Sequence, residues 1–99
     1  MERYLIESPH TAEDCDKAVR AIHAAGYLHF FEWGCDVGVH TGWAIVEAEN
    51  LEHAQQIVPW MFRDKARVVK LVKYDIAYGI HYTLPAAAAH DGAKTDSSL

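Results

Sequence analysis

Cysteine is scarce in this chain, occurring only at Cys15 and Cys35. Two cysteines cannot staple a disulfide scaffold. Without a CxxC pair, neither a zinc ribbon nor a thioredoxin-like motif is suggested. Basic residues are also short, 9 Lys and Arg against 14 Asp and Glu, for a net charge of −5 with histidines neutral. That balance argues against a nucleic-acid partner, which needs cationic side chains in excess on one face, and against an anionic membrane surface. Nowhere do about 18 uncharged apolar residues run together, so no membrane span is expected. The start, MERYLIESPHT, has neither a long apolar core nor a small-residue cleavage site, so no signal peptide is expected and a reducing cytoplasm is the default. GxSxG, GxGxxG and Walker loops are missing, as are HxH, HxxxH and HExxH.

What remains has ordinary globular composition: 99 residues, 51 % hydrophobic and 23 % charged, suited to one small domain. A domain this small buries only about two-thirds of its unfolded surface, so pairing with another subunit is an obvious way to bury more.

Arg3 to Ser8 alternates as a first strand, with Tyr4, Ile6 and Ser8 on one side, and Pro9 ends it. Thr11 is placed to cap a helix whose apolar stripe is Cys15, Ala18, Val19, Ile22 and Ala25, stopped by Gly26. Cys15 on that stripe reads as a small core hydrophobe. Two apolar, aromatic-rich runs follow, Tyr27 to Cys35 and Val39 to Ala48, joined by Asp36-Val37-Gly38. A three-residue hairpin loop fits there, with glycine in the left-handed position. Asn50 caps a second helix, which Pro59 ends near Val58 or restarts as a short turn through Phe62. Ala66 to Tyr74 is a fourth strand. The order β-α-β-β-α-β is that of an α+β ferredoxin-like plait: a four-stranded antiparallel sheet with two helices on one face, over residues 1–75. Residues 76–99 are expected to be an extended arm and a disordered tail.

The three-residue loop implies a register in which Trp33 faces Thr41 and Phe31 faces Trp43. One face would then carry Phe31, Trp33, Cys35, Trp43 and Ile45, and the other Leu28, Phe30, Glu32, His40 and Val46. Both faces are largely apolar, unlike a sheet with one side in water. A second copy packed sheet to sheet with two-fold symmetry would cover the spare face, so a homodimer is expected.

This order and length, the two-faced sheet, and the runs WGCDVGVHTGWAIVEAEN and VPWMFRDKARVVKLVKY resemble the dimeric α/β-barrel superfamily, most of all its small uncharacterised bacterial members. The group includes muconolactone-isomerase-like proteins, cofactor-free monooxygenases of polyketide pathways, haem-degrading enzymes, stress-responsive proteins and a nickel-binding member. The resemblance implies fold and dimer for residues 1 to about 75, and no catalytic set carries over.

Three constellations bear on chemistry. Glu32 and His40 fall on one face beside Gly34 and Gly42, and a carboxylate next to an imidazole can bind a divalent metal (nickel, zinc or copper) or act as an acid–base pair. Cys35, five residues before His40, points to the opposite face in this register, and a one-residue change in the turn would reunite the two. Trp33 and Trp43 could wall a small-molecule pocket or fill an interface. His10, at the strand-to-helix junction, completes a candidate ligand set of His10, Glu32, Trp33, His40 and Trp43, with His40, Glu32 and Cys35 as candidate metal ligands. The leading expectation is a homodimer that binds a small molecule or a metal. The alternatives are an isomerase or cofactor-free monooxygenase with His40 or His10 as general base, or a non-catalytic subunit whose tail from Ile76 docks on a partner.

Overall fold

The computed structural model describes residues 1–76. Beyond Ile76, the expected arm and tail lie outside the described residues. Strand β1 (Glu2–Pro9) buries Tyr4, Ile6 and Ser8 and turns Arg3, Leu5 and Glu7 the other way, as its alternation requires. A 3-10 turn, Ala12–Asp14, leads into helix α1 (Cys15–Ala24), which buries Ala18 and Ile22. Thr11 closes that turn through its backbone carbonyl, which accepts from Asp14 N at 3.0 Å, and its side chain makes no capping bond. The exit of α1 has two closing bonds, Gly26 N to His23 O at 2.9 Å and Tyr27 N to Ile22 O at 3.1 Å. They place Gly26 at φ +88°, where glycine has no Cβ to clash.

The next strand is shorter than expected. Residues Leu28–Phe30 continue the helix exit as a 3-10 turn, leaving β2 as Phe31–Trp33. Strand β3 (Thr41–Ala48) follows. Asn50 caps α2 (Leu51–Gln56) as its spacing predicts, its side-chain oxygen accepting from His53 N at 2.8 Å. Pro59 then starts a separate turn of helix, α3 (Trp60–Arg63), because its ring cannot sit inside α2. Strand β4 (Arg67–Leu71) completes an antiparallel sheet in the order β2-β3-β1-β4. This α+β arrangement is compatible with a ferredoxin-like plait.

The helices cover one face. Tyr4, Ile6, Phe31, Ala44, Val46 and Ala48 from the sheet form one core with Ile22, Ala54, Val58 and Phe62. The other face carries Leu5, Ile45 and Val69, which register across β3, β1 and β4, flanked by Trp43 and Leu71.

The central register differs from expectation by one residue. Trp33 lies opposite Gly42, and Glu32 opposite Trp43. The connection is longer than a three-residue loop. Cys35–Val37 form a 3-10 turn, Gly38 takes φ +85°, and Val39 N returns to Gly34 O at 3.0 Å. A slip of one residue moves a strand's side chains to the opposite face. Trp33 and Phe31, stacked at 5.7 Å, therefore lie under the helices, while Trp43 and exposed Glu32 share the open face. The expected pairing of Trp33 with Trp43 on one face, and of Glu32 with His40 on the other, is corrected accordingly. Gly42 makes room for the Trp33 ring, and Gly34 for the returning Val39 backbone and the Trp43 ring. A Cβ on Gly42 would stand 2.7 Å from the Trp33 ring, and one on Gly34 would stand 2.8 Å from the Val39 carbonyl oxygen and 3.1 Å from the Trp43 ring.

Candidate metal centre

The functional candidates converge where β1, α1 and the β2–β3 connection meet. Pro9 closes the regular strand, but one further backbone bond, His10 N to His40 O at 2.9 Å, continues the β1–β3 pairing. It sets the two imidazoles side by side, with ring centroids 6.0 Å apart. The 3-10 turn after Thr11 then reverses the chain, so that Cys15, the first residue of α1, comes back against His10. Across the cluster, the turn that displaced the hairpin register opens on Cys35.

The resulting contacts run through soft donor atoms. Cys15 Sγ lies 3.2 Å from His10 Nε2, 3.1 Å from His40 Nδ1 and 3.3 Å from Cys35 Sγ. Cys35 Sγ is 3.3 Å from His10 Nε2. Among the described residues, these four side chains place one donor atom each within 4.8 Å of one another. A tetrahedral zinc site with Zn–S near 2.3 Å and Zn–N near 2.0 Å has edges of about 3.3 to 3.8 Å, so to fit an ion the sulfurs must part by about half an ångström and any donor pair near the 4.8 Å limit must close by about one. Two cysteines and two histidines form one of the commonest closed sets for such a metal.

The protonation states fit the same use. Burial pushes the His10 imidazole below its ordinary value, and the neighbouring charge of His40 pushes it further, against opposing pulls from Asp14 and the Ser8 carbonyl. The net shift favours the neutral imidazole, the form that ligates metals. Its Nδ1 is buried and finds no hydrogen-bond partner among the described residues, so the Ser8 carbonyl acts on the ring without a well-formed bond. Nε2 faces the two sulfurs. Cys15 is pushed upward, chiefly by its hydrogen bond to Cys35 and then by burial and the negative charges of Cys35 and Asp14. The upward shift favours the protonated Cys15 thiol, whose proton a cation ligated there would displace.

Apolar rings wall the cluster. The Trp33 ring, seated over Gly42, is 5.9 Å from His10, and Phe62 is 6.4 Å away on the helix side. A cleft of about 310 Å³, lined by His10, Asp14, Phe62 and Lys65 among others, opens beside His10.

Of the sequence candidates, His10, Cys35 and His40 meet here, with Trp33 as their neighbour. Glu32 and Trp43 do not join them: the register slip places both on the open face, and Glu32 is exposed. His29 packs on Phe30 at 4.2 Å, and His53 belongs to the α2 cap. His81 and His90 lie outside the described residues. Cys15 was missed as a site residue, because its place on an apolar stripe fits a core role. One signal did point to it. His10-Thr-Ala-Glu-Asp-Cys15 and Cys35-Asp-Val-Gly-Val-His40 are mirror images in spacing, each pair five residues apart.

Compared with known proteins, the chain matches no family model, no curated sequence and no solved structure. No described helix is long and apolar enough to cross a membrane.

Proposed function

We propose that this is a metal-binding protein that holds one divalent transition ion through His10, Cys15, Cys35 and His40. One observation carries the reading: four soft donors from three separate chain segments meet within 4.8 Å. Thiolate and imidazole together favour zinc, with copper and nickel as competitors. Four protein ligands leave no open position for a substrate, which is the pattern of a structural or regulatory site rather than a catalytic one. Under this reading neither His10 nor His40 is free to act as a general base, which counts against the isomerase and cofactor-free oxygenase alternatives. The thiols need a reducing compartment to stay available, consistent with the cytoplasm.

The test is elemental analysis of untagged protein purified without chelator, followed by zinc titration. The expected result is one ion per chain and a melting temperature that rises with zinc. At a free zinc concentration a thousand times Kd, the gain is about 4 kcal/mol. Cys35→Ser and His40→Ala should abolish the stoichiometric binding. No bound metal, together with no thermal gain from zinc, nickel or copper, would overturn the reading.

The open face supports a second element of the proposal, a homodimer of the dimeric α/β-barrel kind. Leu5, Trp43, Ile45, Val69 and Leu71 form an apolar surface whose rim carries both signs, with Arg3 registered opposite Glu47 and Arg67 bonded to Glu7 at 3.3 Å. A two-fold axis can set such a surface against itself without clustering like charges. Light scattering should give the mass of two chains, and Ile45→Glu should halve it without loss of metal. A monomeric wild type at micromolar concentration would rule the dimer out.

A further inference from the structure

Cys15 and Cys35 stand 3.3 Å apart, sulfur to sulfur. That separation lies between two chemical end points. Two thiolates on one zinc ion are about 3.8 Å apart, and the sulfurs of a disulfide about 2.05 Å. Opening by about half an ångström reaches the zinc spacing, and closing by little more than one ångström joins the sulfurs. Both cysteines are partly exposed residues near the surface. Neither needs the sheet to move. Cys15 is the first residue of α1, and Cys35 begins a 3-10 turn whose other members, Asp36 and Val37, and the following Gly38 are exposed.

We propose that the centre is redox-gated: a peroxide converts Cys15 and Cys35 into a disulfide and so expels the bound ion. The proposal rests on the metal reading above and adds its regulation. In the first step one thiolate attacks a peroxide oxygen. The O–O bond breaks, the sulfur becomes a sulfenic acid, and the departing oxygen takes up a proton and leaves as water. In the second step the other thiolate attacks the sulfenic sulfur, the S–S bond forms, and hydroxide departs and is protonated to a second water. Two electrons pass from the two sulfurs to the peroxide. Two protons come from solvent, and the metal loses two of its four ligands. His10 and His40 alone hold it too weakly to retain it. A dithiol restores the site by exchange, becoming a disulfide itself.

The experiment treats zinc-loaded, full-length protein with hydrogen peroxide. Released zinc is followed with a chromophoric indicator, and the protein is examined by intact mass and peptide mapping. The expected result is one zinc released for each intramolecular Cys15–Cys35 bond formed, a mass lower by two hydrogens, and recovery of binding after dithiothreitol. Cys15→Ser and Cys35→Ser protein should show no such bond, and the wild-type peptide map stands by itself should either variant fail to fold. Two results overturn the gating. If zinc binds stoichiometrically but peroxide leaves both thiols intact, or takes them to sulfinic acids or bonds between chains, the gating fails and the metal site stands. If zinc does not bind, the metal reading fails and the gating with it.

Discussion

The two ends of the sheet are fastened by different means. At the end where β3 runs into α2, the joints are ordinary: Ala48 and Ala54 are completely buried, and Asn50 caps the helix at 2.8 Å. At the other end, β1 passes into α1 and β2 into β3 through four side chains whose mutual contacts are sulfur and imidazole at 3.1 to 3.3 Å. Thiol hydrogen bonds are weak, and an imidazole facing only sulfurs contributes little to cohesion by itself. Apolar residues at those four positions would tie the end more firmly in the absence of metal. The donor set is of the kind that could receive a metal ion. One end of the sheet is closed by ordinary packing and capping, and the other by four side chains that could hold an ion.

The largest effect that sharpens this contrast is expected in the core. Ile22→Ala empties a fully enclosed position and should cost about 2–5 kcal/mol, read by urea titration. The loss should be the same with and without zinc, and a loss that zinc abolishes would mean the two ends are not separate. Gly42→Ala comes next, because it forces the Trp33 ring away from both the core and His10. It should cost about 1–3 kcal/mol and also weaken zinc binding, a joint effect that Ile22→Ala lacks. Asn50→Ala should remove about 1 kcal/mol and leave zinc affinity unchanged, since it lies at the far end.

The smallest effect is that of pH on metal-free protein. The His10 imidazole titrates lower in the folded chain than in the unfolded one. As pH falls through the ordinary histidine range, the unfolded state takes up its proton first and stability declines, while above that range the full stability is present. Thermal melts between neutral and mildly acidic pH should show the decline, and His10→Gln should flatten it. Zinc binding should weaken in the same direction, since protons compete for the same donors.

Much of the architecture was legible in local patterns. The alternation in β1, Ala18 and Ile22 as the buried part of the α1 stripe, Gly26 as its stop, Asn50 as a cap and Pro59 as a break all appear as expected, because each depends on residues near in sequence, whereas Ala25 at the end of the stripe is exposed. The register of β2 and β3 was not legible, because it depends on the path between Gly34 and Thr41. A three-residue turn and a 3-10 turn with a following left-handed glycine both suit Cys35-Asp-Val-Gly38, and they differ by one step in pairing. That step decided the site. It took Glu32 to the open face, brought Trp33 to His10, and let Cys35 meet His40. Cys15 was hidden for another reason: a cysteine at the start of an amphipathic helix satisfies the hydrophobic pattern equally well as ligand or as filler.

The distance between the two sulfurs along the chain has its own consequence. Twenty residues separate Cys15 from Cys35, and between them lie the rest of α1 and the whole of β2. An ion held by both sulfurs, or a bond joining them, closes the same loop and withdraws about 3 kcal/mol of chain entropy from the unfolded state. Exchanging one closure for the other leaves the topology untouched. On the proposed gating, an ion lost to oxidation would leave edge strand and helix tethered, so the change would be a chemical signal at the surface rather than a loss of fold.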